Sequence, residues 1–310
     1  DFKLEKSVIV QEIGMSEDQP EELIYDRFFE EVYKGNGLSI PIAGTVKSVL
    51  EMKMRDLQSY YKEHFKNEKL IISLTGDVSF SDVVKECNIR FGRTKKQKGK
   101  KIKPRLRPQW RSFHQMIEKK IDHSHVLLGL PSTSFKSAQR FESLIMNALL
   151  GGGMTSRLYQ AIREKRGLVY SIYSQLVTHS DSGAFMFYAS SETESIARVT
   201  KLMLSEVTKL KKKTPSQKEL DHFKTQVIGQ VKLNSDDIEN RMNSIAINEI
   251  IFQDYKSVDW VVSQIENVSL SSINQWKNEF LDLSQLSGIL ITSDGEKNKK
   301  WWNSLFSESN

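Results

Sequence analysis

Three consecutive glycines, Gly151, Gly152 and Gly153, open the stretch GGGMTSRLYQAIREKRGLVYSIYSQL and restrict its fold more than any other part of the chain. Such a run builds neither a regular helix nor a strand interior, so it serves a tight backbone path or an approach to another chain. Helix period then returns with Leu158, Tyr159 and Ile162 on one side, and Gly167 stops it. From Val169 to Leu176, β-branched and aromatic residues predict a strand. The unit reads as loop, short helix, turn and strand, with Arg163 and Tyr170 at its two ends. On pattern alone it is equally a helix-to-strand connection carrying surface arginines.

A chain of 310 residues has room for two domains and buries a core without staples. Its single cysteine, Cys87, excludes an intrachain disulfide framework and a cysteine-based zinc cluster. No run approaches the eighteen or so apolar residues of a membrane span. Residue 1 is Asp1, so a cleaved leader stays open, and a soluble bacterial protein of cytoplasm or periplasm is the expectation. The net charge of +6 suggests nucleic acid, yet ten Lys or Arg and no acid fall between Arg93 and Arg111, so the rest of the chain is net negative. That run holds Gly99, Pro104 and Pro108 and lacks apolar periodicity until Trp110, with no aromatic stacking platform interleaved with its charges, which predicts an exposed interdomain linker over 93–111 and no nucleic-acid site.

Before the linker, Asp1 to Lys34 reads as helix, bent near Gly14 and Pro20, with Leu23, Ile24, Phe28, Val32 and Tyr33 as its apolar stripe. Glu5 and Glu12 lie two helical turns apart, about 10 Å along one face, where they either serve one polar site or simply face water. A loop Leu38 to Val46, a helix Met54 to Phe65, a strand Leu70 to Thr75 and a helix from Ser79 to Cys87 follow. After the linker come strands Phe113 to Ile121 and His125 to Leu130, a helix Ser137 to Leu150, the glycine-led unit and a strand Gly183 to Ser190. Five helices between Thr193 and Phe280, a strand Leu286 to Thr292 and a short terminal helix complete the pattern. The second part is thus an α+β domain over 112–310, a mainly antiparallel sheet with helices on one side. Residues 1–92 end in a similar order, without opening strands, and read as a homologous first domain truncated at its front.

Three stretches, KSVIVQEIGMSEDQPEELIYDRFFE, PIAGTVKSVLEMKMRDLQSYYKEHF and GGGMTSRLYQAIREKRGLVYSIYS, resemble in order and spacing those of the pitrilysin/insulinase zinc metallopeptidases, mitochondrial processing peptidase included. The likeness covers essentially the whole chain. It implies a zinc site in the first domain, with Glu12 as the carboxylate ligand and Glu5 as the acid orienting the site from behind. A zinc ion with two imidazoles and a carboxylate keeps one position for water, and a nearby carboxylate takes the proton. The likeness also implies that Arg163 holds substrate backbone, with Arg166 its rival, and that Tyr170 donates to the peptide carbonyl as charge develops on it. Gly151 to Gly153 resemble a loop that passes extended polypeptide or touches a partner subunit. The implied substrate is an extended or unfolded polypeptide, held in a closed chamber between the two halves with the basic linker as hinge. The implied assembly is a homo- or hetero-oligomer.

The sequence departs from that family in one respect. Its six histidines are His64, His114, His123, His125, His179 and His222, no two of them four apart, so neither His-x-x-Glu-His nor its inverse is present. His123 and His125 share a strand face without a carboxylate at metal-site spacing and read as structural or solvent-facing. Taken alone the chain has one zinc ligand and no general base, and it is expected to be inactive. Two readings follow: part of a complete zinc endopeptidase, or a truncated homologue that binds peptides or a partner.

Overall fold

The computed structural model describes residues 2–65, 70–92 and 106–307. Helix α1 (Phe2–Asp18) leads into α2 (Pro20–Val32), whose first-turn proline has a fixed φ and no N–H to lose. Short helices α3 (Val46–Glu51), α4 (Met54–His64) and α5 (Phe80–Phe91) follow. Strands β1 (His114–Glu118) and β2 (Ser124–Pro131), helix α6 (Arg140–Leu150), a π-helical turn Tyr159–Glu164, and strands β3 (Ser171–Thr178) and β4 (Gly183–Ser191) come next. Helices α7 (Ile196–Lys212), α8 (Gln217–Asp236), α9 (Ile238–Phe252), α10 (Val258–Glu266) and α11 (Leu270–Phe280) precede β5 (Ser287–Thr292) and α12 (Gly295–Ser307). Ser216 caps α8 by accepting from Glu219 N.

The five strands form one sheet in the order β1-β5-β2-β4-β3, antiparallel except for the β1–β5 pair. Alternation sends Val126, Leu128, Phe185, Phe187 and Leu290 to one face, where α6, α7, α8, α10, α11 and α12 supply the main core. Leu127, Ala184, Met186, Tyr188, Ile289 and Ile291 point to the other face, against Leu23, Ile24, Phe28, Val32 and Tyr33 of α2 and the residue after it. With both faces covered, β4 is buried at all nine positions. The fold is α+β, as the sequence predicts, but helices cover two sides of the sheet and not one. The second cover comes from the part of the chain before the basic run.

Other differences have local causes. Gly14 does not break α1, which is continuous through Asp18. Residues 70–75 form neither helix nor strand, so the strand predicted over Leu70 to Thr75 is absent; Ser73 Oγ donates instead to Met242 O of α9 at 2.8 Å. Leu70, Ile71, Ile72 and Leu74 stay exposed there. Helix α3, which the sequence reading does not contain, is held by a capping box between Thr45 and Ser48 and by Lys6 Nζ of α1, which donates to Leu50 O and Met52 O. Most of the basic run, 93–105, lies outside the described residues. Its far end is anchored: Trp110 packs on Phe28 and Tyr33, and its Nε1 donates to Gln285 O at 2.9 Å.

Candidate functional site

The glycine loop approaches the chain's own edge strand, β3. A Cβ on Gly151 would lie 2.2 Å from Ser174 N, so no other residue permits the contact. Through that gap Ser174 N–H donates to Gly151 O at 3.1 Å, while Ser174 Oγ donates to Asn147 Oδ1 at 2.8 Å. Gly152 is equally confined, its would-be Cβ 2.7 Å from Ala148 Cα. Gly153 and Met154 line a cleft of about 440 Å³ together with Tyr159, Ile172, Tyr173 and Ser174.

Buried Leu158 and Ile162 fix the π-helical turn, and Gly167, at φ +60°, ends it by donating its N–H to Arg163 O at 2.8 Å. This leaves Arg163 exposed with its guanidinium 5.2 Å from the Tyr159 ring centre, beside the cleft, and without a carboxylate partner among the described residues. Arg166 is occupied differently: its Nη1 donates to Ala161 O, closing the turn. Arg157, closer to the loop, is spent on a bidentate bond to Glu219, both contacts 2.8 Å. Tyr170 stands at the bend before β3, 56% exposed, its ring against His123 at a centroid distance of 4.3 Å.

Beside Tyr170 lies a polar cluster that the sequence reading does not contain. Tyr173 Oη donates to Glu21 Oε1 of α2 at 2.9 Å, and Tyr25 Oη donates to Tyr173 Oη at 3.1 Å. The Tyr188 ring lies 4.9 Å from that of Tyr173, and its hydroxyl is 2.6 Å from His125 Nδ1. Burial pushes the Tyr25 phenol up to about 12 and raises those of Tyr173 and Tyr188 further, with Glu21 adding to both, so all three are neutral donors. Burial, and then the neighbouring His123, press the His125 imidazole down to about 4. His125 is thus held neutral and hydrogen-bonded within this cluster. The available signal was period-two spacing of Tyr173 with its strand neighbours, opposite an α2 stripe that carries Tyr25 one turn after Glu21.

Glu5 and Glu12 are both exposed on α1, and among the described residues neither carboxylate makes a hydrogen bond or ion pair. Glu12 lines a cleft of about 380 Å³ between α1, α2 and residues 41–45, together with Glu17, Asp26 and Glu30. Burial raises the Asp26 carboxyl. No hydrogen bond, ion pair or ring contact joins Glu5 or Glu12 to Arg163 or Tyr170 among the described residues. Nor do any three His, Cys, Asp or Glu side chains come together among them as metal ligands, so these residues do not by themselves form a zinc centre.

Comparison with known families decides the affiliation: residues 51–227 match the peptidase M16 inactive domain. The chain belongs to the peptidase M16 family. A Rickettsia bellii (strain RML369-C) protein, named as an uncharacterized zinc protease, is 27% identical over 287 residues, 92% of this chain and 69% of that protein. A Streptomyces coelicolor protein with the same description is 30% identical over 277 residues, 87% of this chain and 60% of its own length. The chain thus spans 60% to 69% of these two relatives. Among solved structures, a protease from Helicobacter pylori superposes with a TM-score of 0.81 at 19% identity, covering 94% of this chain and 72% of that one. A chain of complex III2 from Candida albicans gives 0.80 at 13% identity, covering 96% and 74%. At such identities these likenesses establish the M16 fold. No helix among the described residues is long and apolar enough to cross a membrane.

Proposed function

We propose that this M16 chain is part of a zinc-dependent endopeptidase for extended or unfolded polypeptides, and that it supplies the substrate-holding wall and one carboxylate of the metal site. The observation that carries this reading is the state of Arg163 and Tyr170. Both stand on a π-helical turn and a bend, both are exposed, and neither polar head makes a hydrogen bond or ion pair among the described residues. Arg163 holds the backbone of the peptide beside the glycine-loop cleft, and Tyr170 donates a hydrogen bond to the carbonyl oxygen that gains charge. Glu12 is the zinc-ligating carboxylate and Glu5 orients the site behind it; the remaining ligands and the general base come from outside the described residues.

One observation favours a second reading. The matched region is the inactive domain of the family, and the described residues form no metal centre. On that reading the protein binds peptides or serves as the partner subunit of an active homologue, within a homo- or hetero-oligomer.

Metal analysis of the full-length protein with a peptide-cleavage assay separates the two. The enzyme reading expects about one zinc per chain, loss of bound zinc in Glu12→Gln, and a fall in kcat of about 10²–10³ in Tyr170→Phe with zinc retained. A zinc-free protein that binds an unfolded peptide without cutting it would support the second reading. Full activity and full zinc in Glu12→Gln would remove the ligand assignment.

A further inference from the structure

Tyr170 is anchored at its backbone but not at its hydroxyl. Its N–H donates to Ser190 O at 3.0 Å, which fixes the Cα on the sheet, while the phenol has no hydrogen bond among the described residues. An exposed tyrosine on a fixed Cα samples several staggered rotamers unless something lies against its ring. Among the described residues its one ring contact is His123, at 4.3 Å with the planes inclined by 33°.

That contact depends on where two strands begin. His123 directly precedes β2 and Tyr170 directly precedes β3, and both strands pair with β4 on its opposite edges. Ser190 of β4 is the register partner of both His125 and Ser171, so the residues that precede β2 and β3 lie near the same end of β4. Ile172 points into the main core, so strict alternation would carry Tyr170 to that side; the bend at Tyr170 brings its ring to the imidazole instead. His123 is held in turn by Ser124, whose buried hydroxyl donates to Thr292 Oγ1 at 2.8 Å. Its own Nδ1 is buried and makes no hydrogen bond among the described residues. Such an orphaned nitrogen costs stability, so hydrogen bonding does not account for the imidazole's placement, whereas the ring contact does.

We infer that His123 is a positioning residue for Tyr170: its ring stacks on the phenol and holds the hydroxyl toward the substrate carbonyl. The inference rests on the role proposed above for Tyr170. An ordered phenol removes a rotational search from the reacting complex, so the gain belongs to kcat rather than KM.

The test uses the full-length protein and a fluorogenic extended peptide, with Tyr170→Phe, His123→Ala, His123→Phe and the double variant His123→Ala/Tyr170→Phe. Expected is a fall in kcat of about tenfold for His123→Ala at unchanged KM, with most of it restored in His123→Phe, which keeps a ring to stack. In the double variant, His123→Ala should add nothing to Tyr170→Phe. If His123→Ala leaves kcat at the parent value while Tyr170→Phe impairs it, the positioning role falls and the role of Tyr170 stands. An unimpaired Tyr170→Phe, or a parent without peptidase activity, overturns the reading of Tyr170 and this inference with it. One readout needs no activity: the ring resonances of isotope-labelled Tyr170 should shift and broaden in His123→Ala, and an unchanged signal overturns the stacking itself.

Discussion

On one face of the sheet Phe185, Phe187 and Leu290 meet six helices drawn from the residues around them in sequence, and the contact is almost wholly apolar. On the other face Met186, Tyr188 and Ile289 meet the single helix α2, which comes from the far side of the basic run and brings Glu21 and Tyr25 with it. The first face is closed by area, which depends little on the exact placement of any one group. The second is closed by a narrower stripe and by hydrogen bonds, which depend on geometry and on protonation. The two faces should therefore fail differently. The α2 face, which carries the surroundings of Tyr170, should open first.

The largest effect is expected in the main core. Trp276 is fully buried between Phe185 and Phe280, and its Nε1 donates to Ser143 Oγ at 2.6 Å. Trp276→Ala should cost about 4–5 kcal/mol, the upper end for a buried aromatic, and chemical denaturation should show it with every probe. Phe28 is the α2 counterpart, also fully buried, seated so closely on Gly129 that a Cβ there would lie 2.5 Å from its ring. Phe28→Ala should cost about 3 kcal/mol. In native-state hydrogen exchange that loss should appear in α2 while the amides of α6 and α11 keep their protection. Equal loss of protection in all three helices would mean that the two faces form one cooperative unit.

A smaller change sharpens the contrast. Tyr173→Phe keeps the ring and removes the hydroxyl that donates to Glu21 and accepts from Tyr25. The expected cost is about 1–2 kcal/mol, because one of the two bonds is charge-assisted. A double-mutant cycle with Glu21→Gln should show coupling between the two positions. Additive costs would mean that the two groups act independently.

These differences also mark what was legible in the sequence. The stripe Leu23, Ile24, Phe28, Val32 and Tyr33 identifies the buried side of α2, but periodicity names no target. The signal for a second cover was in β4: GAFMFYAS lacks the polar alternation of a half-solvated strand and reads as buried on both faces. Residues 70–75 have the composition of a strand, yet a strand exists only with a partner, and none of the described residues provides one. Arg163 and Tyr170 are singled out in the sequence by the motif around them, and their roles are proposed from that motif. The approach of His123 to Tyr170 is not legible there, because it depends on two strands starting on either side of one end of a third and on a bend that breaks alternation.

The smallest effect is also the most selective, because it acts on the α2 face through pH. Burial and the adjacent His123 lower the His125 imidazole from 6.5 to about 4, while Tyr188, Tyr173 and Tyr25 around it remain neutral at any acidic pH. Above about pH 6.5 the imidazole is neutral folded or unfolded and adds no slope. Between that pH and about 4 the unfolded chain binds the proton and the folded chain resists it, so stability falls as pH falls through this window. Lowering the pH from 7 to 5 should therefore loosen α2 before it loosens the main core, and His125→Gln should flatten that part of the dependence. Hydrogen exchange at both pH values, in parent and variant, measures it. A parent whose α2 protection is the same at pH 5 as at pH 7 would show that His125 does not couple protonation to this face.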